Sequence, residues 1–153
     1  MKRKVWMVLS LLLVLSLGFA AVAEAQSLTR GSGRVWAKGV GYAEVHGNGQ
    51  VDIEAHGVGT VRVRGAEVLR AQGHGRRWDL PDGTVVFAGW RGHIYAASHD
   101  LEVQMLGGVI EFIARGDGWV FLKGIGHYDV NGRPGRWTIE GVRIELQPNT
   151  EAE

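Results

Sequence analysis

One stretch decides the fold of this chain: Gly47-Asn-Gly-Gln-Val-Asp-Ile-Glu-Ala-His-Gly57. Between its glycines, the apolar residues Val51, Ile53 and Ala55 alternate with polar ones. A period of two places successive side chains on opposite faces of a β-strand. Glycine at either end provides turns that need a positive φ. The stretch therefore predicts a short, half-buried strand between two glycine turns.

The same alternation recurs between glycines along most of the chain, at 42–46, 60–64, 101–105 and 142–146. No window of 11 residues after residue 26 carries the apolar stripe of a helix. We expect an all-β fold of about 12 to 14 short strands.

Two architectures would bury one face of such strands. The segment from Lys38 to Gly47 aligns with the segment from Lys123 to Gly132, at an offset of 85 residues. Five rungs of about 17 residues each would give that offset, which favours a β-solenoid-like stack with Gly-x-Gly corners. The alternative is an antiparallel meander closed into a sandwich or barrel. The pattern slips around 76–78 and 89–100, where we expect a bulge or a protruding loop.

The N-terminus has the pattern of an export signal. Three basic residues, Lys2, Arg3 and Lys4, precede an apolar run over 5–22, and Ala23-Glu24-Ala25 fits the cleavage rule. We expect a signal peptide at 1–25, a polar tail at 26–34, one β domain at 35–146 and an acidic tail at 147–153. The alternative is an uncleaved membrane anchor. If the signal is cleaved, we expect a mature chain that is not transmembrane and is secreted, periplasmic or at the cell surface.

Composition excludes several classes of protein. The 153 residues include 24 Gly, 3 Pro and no Cys. Disulfide scaffolds and cysteine-ligated zinc or iron–sulfur sites are impossible, and collagen would need more proline and a three-residue period. The formal net charge is only +1, and cleavage would remove three basic residues and one acidic residue. We therefore expect no nucleic-acid partner and no cofactor.

The C-terminal half carries a resemblance. The segment Gly116-Asp-Gly-Trp-Val-Phe-Leu-Lys-Gly-Ile-Gly-His-Tyr-Asp-Val-Asn-Gly132, followed by Gly135-Arg-Trp137, resembles small exported glycine-punctuated β proteins of bacteria. The Gly-x-Gly ladder over 31–146 is also similar to adhesin head domains of the β-solenoid type. The resemblance implies a secreted β-scaffold and supplies no catalytic residues.

Three groups of residues are candidate sites. Trp90, Trp119 and Phe121 form a candidate ligand-binding strip, because exposed aromatic rings stack on sugars or contact proteins. A packed second face is the alternative. A candidate basic patch, suited to an acidic partner, is formed by Arg62, Arg64, Arg70, Arg76 and Arg77.

The third group is a candidate metal site of histidines. His56, His74 and His93 are separated by 18 and 19 residues, close to the length of a rung. Stacked on one edge of a coil, they would form a ladder of imidazoles, which commonly bind transition metals. Exposed polar residues at strand ends are the alternative.

These observations favour a secreted, non-enzymatic β-scaffold with an adhesion or cell-envelope structural role. Its partners would be a polysaccharide or another envelope component, or a second copy bound through strand edges or uncapped ends. The alternatives are a carbohydrate-binding module that uses the exposed Trp and Phe residues, and a small extracellular hydrolase with paired carboxylates.

Overall fold

The computed structural model describes residues 33–147, and the proposed signal peptide and nearly all of both tails lie outside them. The described chain is all-β, as predicted, with no helix. Its six strands are β1 (Gly33–His56), β2 (Thr60–Arg64), β3 (Val68–Asp79), β4 (Val85–Val130), β5 (Arg133–Arg136) and β6 (Val142–Leu146).

The two halves of the chain form one long hairpin. Along its length Val35 pairs with Val130, Val45 with Val120, Val61 with Met105, Ala71 with Ile94 and Trp78 with Val86. The hairpin turns at 80–84, where the Leu80 amide donates a hydrogen bond to the Thr84 carbonyl. Pro81-Asp82-Gly83 forms this tip, because proline pre-sets φ for a tight turn and glycine accepts a positive φ.

A second set of pairings shows that the hairpin folds back and forth on itself. Val35 also pairs with Ala114, Val45 with Val103, Ile53 with Ile94 and Val61 with Phe87. The hairpin is thus divided into short two-stranded segments, and each segment pairs with the segment two places further along the hairpin. Successive segments therefore alternate between two layers, and each layer consists of seven short strand pieces. The first layer, in spatial order, is 133–136, 127–130, 33–40, 109–116, 49–56, 91–98 and 68–74. The second is 142–146, 118–122, 42–47, 101–106, 60–64, 85–88 and 76–79.

One hydrophobic core lies between the layers. The alternating apolar residues of the sequence are the buried ones, such as Val51 and Ile53 in the first layer and Val103 and Met105 in the second. They belong to a single cluster of buried side chains. Their polar neighbours therefore point outward, so that each layer presents a polar outer face.

Paired glycines make the corners between pieces. Gly47 lies opposite Gly118, and Gly49 lies opposite Gly116. Gly116 has a φ of 146°, and a Cβ there would overlap the carbonyl oxygen of Asn48. Only glycine allows both the backbone conformation and the close approach of the two strands.

The solenoid form of the prediction is not confirmed. The sheet is open, and β1 and β4 are antiparallel. The offset of 85 has another origin, because the two copies of the repeat face each other at their Lys-Gly-x-Gly starts. Gly39 pairs with Gly126 and Gly41 with Gly124. Of the stretches expected to be irregular, 76–78 pairs with 86–88 in the second layer and 91–98 is paired in the first, with one register shift along β3, between His74 and Arg76.

Candidate functional site

The two long sides of the molecule have opposite chemistry. The pieces 33–40 and 49–56 run in the same direction, because both pair antiparallel with 109–116. Their ends, and the glycine corners that follow them, therefore lie on one side of the molecule. The next corners, at 47–49 and 65–67, lie on the other side.

An apolar ridge follows the first side. Its five exposed aliphatic residues are Val40, Val58, Leu106, Val109 and Ile125. Val40 pairs with both Val109 and Ile125, and Val58, Leu106 and Val109 line one depression. Ile125 and Val58 are the most exposed of the five, at 77% and 67%. Large aliphatic side chains exposed in a row are unusual and mark contact surfaces.

A polar ridge follows the opposite side. It consists of Asn48, Glu67, His99, Asp100 and Asp117. Asn48 and Asp117 pair across their corner, and the Nδ1 atom of His99 lies 3.0 Å from Glu67 Oε1. The hydrogen bonds from His99 hold the pKa of Glu67 below its usual range. This side is suited to water and not to an apolar partner.

A shallow outer trough crosses the polar face of the first layer. One depression of about 210 Å³ is lined by residues that include Trp36, Asp52, Glu54, His93 and Glu111. A second, of about 270 Å³, shares Asp52 and His93 with it and continues to Arg70, Gln72 and Tyr95. The trough thus combines two aromatic rings with carboxylates, an amide and a histidine.

The predicted aromatic strip is already covered by other side chains. Trp119 stacks on His46 with centroids 5.5 Å apart, and the Arg143 guanidinium lies 4.3 Å from its ring centre. These contacts come from the strands on opposite sides of Trp119, so both ring faces are occupied. Phe121 packs against Tyr42, with ring centroids 6.3 Å apart.

Trp90 lies apart from these two residues. It packs edge-on against the buried Phe87, with centroids 5.1 Å apart, at a corner on the side of the apolar ridge. It is therefore part of the core packing.

The five predicted arginines do not form one patch. Arg62, Arg64 and Arg76 point outward from the second layer, whereas Arg70 is opposite Tyr95 on the outer face of the first. Arg77 lies over the Phe87 ring at 5.6 Å and bonds Asp79 at 2.7 Å. Their separation follows from the fold, because a corner at 73–75 sends Arg70 and Arg76 to different layers.

The three predicted histidines share one outer face but do not converge. His56 and His74 are both opposite Arg91, which separates them, and His93 lies in the next row, between Glu54 and Gln72. The structure instead brings His56 together with Glu54 and Glu111, with donor atoms within 4.8 Å of one another.

Glu54 and Glu111 are the paired carboxylates that a hydrolase would need. They are direct cross-strand neighbours, and Lys38 Nζ binds Glu111 Oε2 at 2.8 Å from the far side. The hydrogen bond from Lys38 lowers the pKa of Glu111 and raises that of the lysine. A general acid needs a raised carboxyl pKa, so this geometry does not prepare Glu111 for that role.

Sequence reasoning missed the apolar ridge, although the signal was present. The middle residues of Gly-x-Gly are apolar at Val40, Val58 and Ile125, and polar at Asn48 and Asp117; the polar His74, on the same side as Val58, is an exception. Once successive corners are known to alternate between sides, this difference predicts one apolar and one polar side. Without the fold, the variation has no evident meaning.

The described part of the chain contains no helix whose length and apolar character would let it span a membrane. Comparison with known proteins finds no matching family model, no matching curated protein and no matching solved structure.

Proposed function

We propose that this protein is a secreted, non-enzymatic β-scaffold that attaches to the lipid surface of the cell envelope through its apolar ridge. The observation that carries the proposal is the ridge itself, with five exposed aliphatic residues on one side and polar residues on the other. A molecule divided in this way binds an interface in one orientation.

A lipid surface fits this ridge better than a protein groove or a sugar. The ridge follows protruding corners, and its side chains are aliphatic, whereas sugar platforms use aromatic rings. Lys123 is exposed two residues before Ile125 and adds a positive charge near the ridge. Basic residues beside inserted aliphatic ones strengthen binding to anionic lipids.

Vesicle flotation tests this proposal. The protein should float with vesicles of phosphatidylglycerol and phosphatidylethanolamine, and the double variant V40S/I125S should bind about tenfold more weakly, because each substitution removes apolar surface. Leu80→Ser is the matched control, since Leu80 is exposed at the hairpin tip on the polar side. Equal flotation of all three proteins, or no flotation of the unmodified protein, contradicts the proposal.

A carbohydrate-binding role is the second candidate, and the outer trough favours it. Trp36, Ile113, Asp52 and Tyr95 follow one another across four neighbouring strands, so the two aromatic residues lie about 14 Å apart at ordinary strand spacing. An extended sugar chain would meet rings, carboxylates and the Gln72 amide there. We expect Trp36→Ala to reduce retention on a bound polysaccharide, with Trp78→Ala as the control for an exposed ring elsewhere. Retention that is equal for both variants rules out the trough.

A further inference from the structure

The outer face of the first layer holds a cluster of three metal-ligating side chains. Glu54 and His56 point to the same face, because they are two residues apart on one strand, and Glu111 lies opposite Glu54 on the neighbouring strand. Their donor atoms all lie within 4.8 Å of one another. Two adjacent strands thus supply three ligands from one side.

The charges of this cluster are only partly balanced. Two carboxylates directly opposite each other on neighbouring strands repel. Lys38 binds Glu111 at 2.8 Å, but within residues 33–147 Glu54 makes no ion pair. A divalent cation between the carboxylates would neutralise both of them.

The imidazole of His56 provides an independent indication of a ligand. Its Nε2 atom is inaccessible to solvent and has no hydrogen-bond partner among residues 33–147, although the side chain as a whole is 36% exposed. A buried polar atom without a partner is costly and calls for an explanation. Nε2 lies 3.7 Å from Glu111 Oε2. Two ligand atoms on one zinc ion are separated by roughly 3.3 Å, so a small movement would place both on the ion.

We propose that Glu54, His56 and Glu111 bind one divalent transition-metal ion of the zinc type, with water in its open positions. One imidazole and two carboxylates suit such an ion, whereas calcium and magnesium prefer sites made only of oxygen ligands. This site is separate from the apolar ridge and does not depend on the proposed function. It shares His56 with the histidine set expected from the sequence and replaces His74 and His93 with carboxylates.

Lys38 is the built-in competitor at this site. Its ammonium group occupies one oxygen of Glu111, so a metal ion must bind against its positive charge. Removing that charge while keeping the apolar stem, as in Lys38→Met, should therefore tighten metal binding. A lysine that only supported the fold would not have this effect.

Titration calorimetry with zinc chloride tests the site in the purified protein. We expect one ion per chain, affinity at least about tenfold weaker in His56→Ala and in Glu54→Gln, and at least about threefold tighter in Lys38→Met. His74→Ala is the matched control and should bind zinc like the unmodified protein. Calcium and magnesium should bind at least about 100-fold more weakly.

Melting curves recorded in EDTA establish that each variant is folded. If His56→Ala does not fold, Glu54→Gln is the variant that tests the site. No zinc binding at about 1 mM overturns the proposal, as does unchanged binding in the folded variants. If His74→Ala loses as much zinc affinity as His56→Ala does, the metal is bound by the histidines alone, and this result also overturns the proposal.

Discussion

Glu111 lies between a cation and a second carboxylate, and this position gives it a pH-dependent role. Because Lys38 lowers its pKa in the folded protein, its ion pair contributes stability above pH 4.5 and loses that contribution as the pH falls through the lowered value. Glu67 and Asp82 act in the same direction, through His99 and the Thr84 amide.

The first prediction follows from that sign. These carboxylates should change the free energy of unfolding little between pH 8 and pH 6. When the pH is lowered below 4.5, the free energy of unfolding should decrease. The fall should be shallower in Glu111→Gln. Urea unfolding at several pH values measures it, with Glu140→Gln as the control, because Glu140 makes no ion pair among the described residues. An acid slope identical in both variants contradicts the assignment.

Tyr42 gives the second prediction. Burial, together with its hydrogen bond to Glu44 at 2.7 Å, raises its pKa to about 12. An ultraviolet titration should therefore contain one phenol that ionises near pH 12, and Tyr42→Phe should remove that late phase. Completion of all tyrosine ionisation by about pH 11 contradicts this environment.

At the level of residues, the sequence was a good guide to burial and a poor one to contacts. Alternation placed Val51, Ile53 and Val103 in the core, because period two has one physical cause. It could not show that Arg143 and His46 cover Trp119, because those contacts depend on which strands are neighbours.

At the scale of elements, paired glycines determine where the hairpin bends. Glycine at Gly116 meets two requirements at once, a φ of 146° and close approach to the Asn48 carbonyl. Gly83 at the hairpin tip has a positive φ of 80°, but a side chain there would meet no atom within 4 Å.

These two glycines make the third prediction. Gly116→Ala should destabilise the protein by about 2 to 4 kcal/mol, because it adds an overlap to the backbone strain. Gly83→Ala should cost about 1 kcal/mol, because only the strain applies. Thermal and urea unfolding measure both, and equal costs would show that close strand approach does not determine the corners.

Strand pairing could not be predicted from the repeat. The copies that start at Lys38 and Lys123 have the same pattern whether they stack as rungs or face each other in a hairpin. The deciding feature is the turn at Leu80–Thr84, which lies near the middle of the described chain and lets its two halves pair throughout. Pairing between residues so far apart in the chain cannot be predicted from local sequence.

At the scale of the whole molecule, the alternation of corners separates an apolar side from a polar one. The free edge formed by β3 is a second surface that could meet a partner, and self-association through edges stays a prediction. Arg70, Arg76 and Arg77 lie along that edge, so their like charges oppose the pairing of two β3 edges.

Light scattering at increasing concentration checks this fourth prediction. We expect association to be head to tail, between the β3 end of one molecule and the β5–β6 end of another, and to be stronger at high salt, which screens the β3 arginines from Arg133 and Arg136 of β5. A monomer at every concentration and salt level contradicts it.

Attachment in one orientation is the central claim, and the absence of cysteine allows a direct measurement. An environment-sensitive fluorophore can be placed on Val58→Cys in the apolar ridge or on Asn48→Cys in the polar ridge. On addition of anionic vesicles, the emission of the probe at 58 should shift to the blue, and that of the probe at 48 should stay unchanged. Equal shifts at both positions, or a shift at 48 alone, would contradict oriented attachment through the ridge.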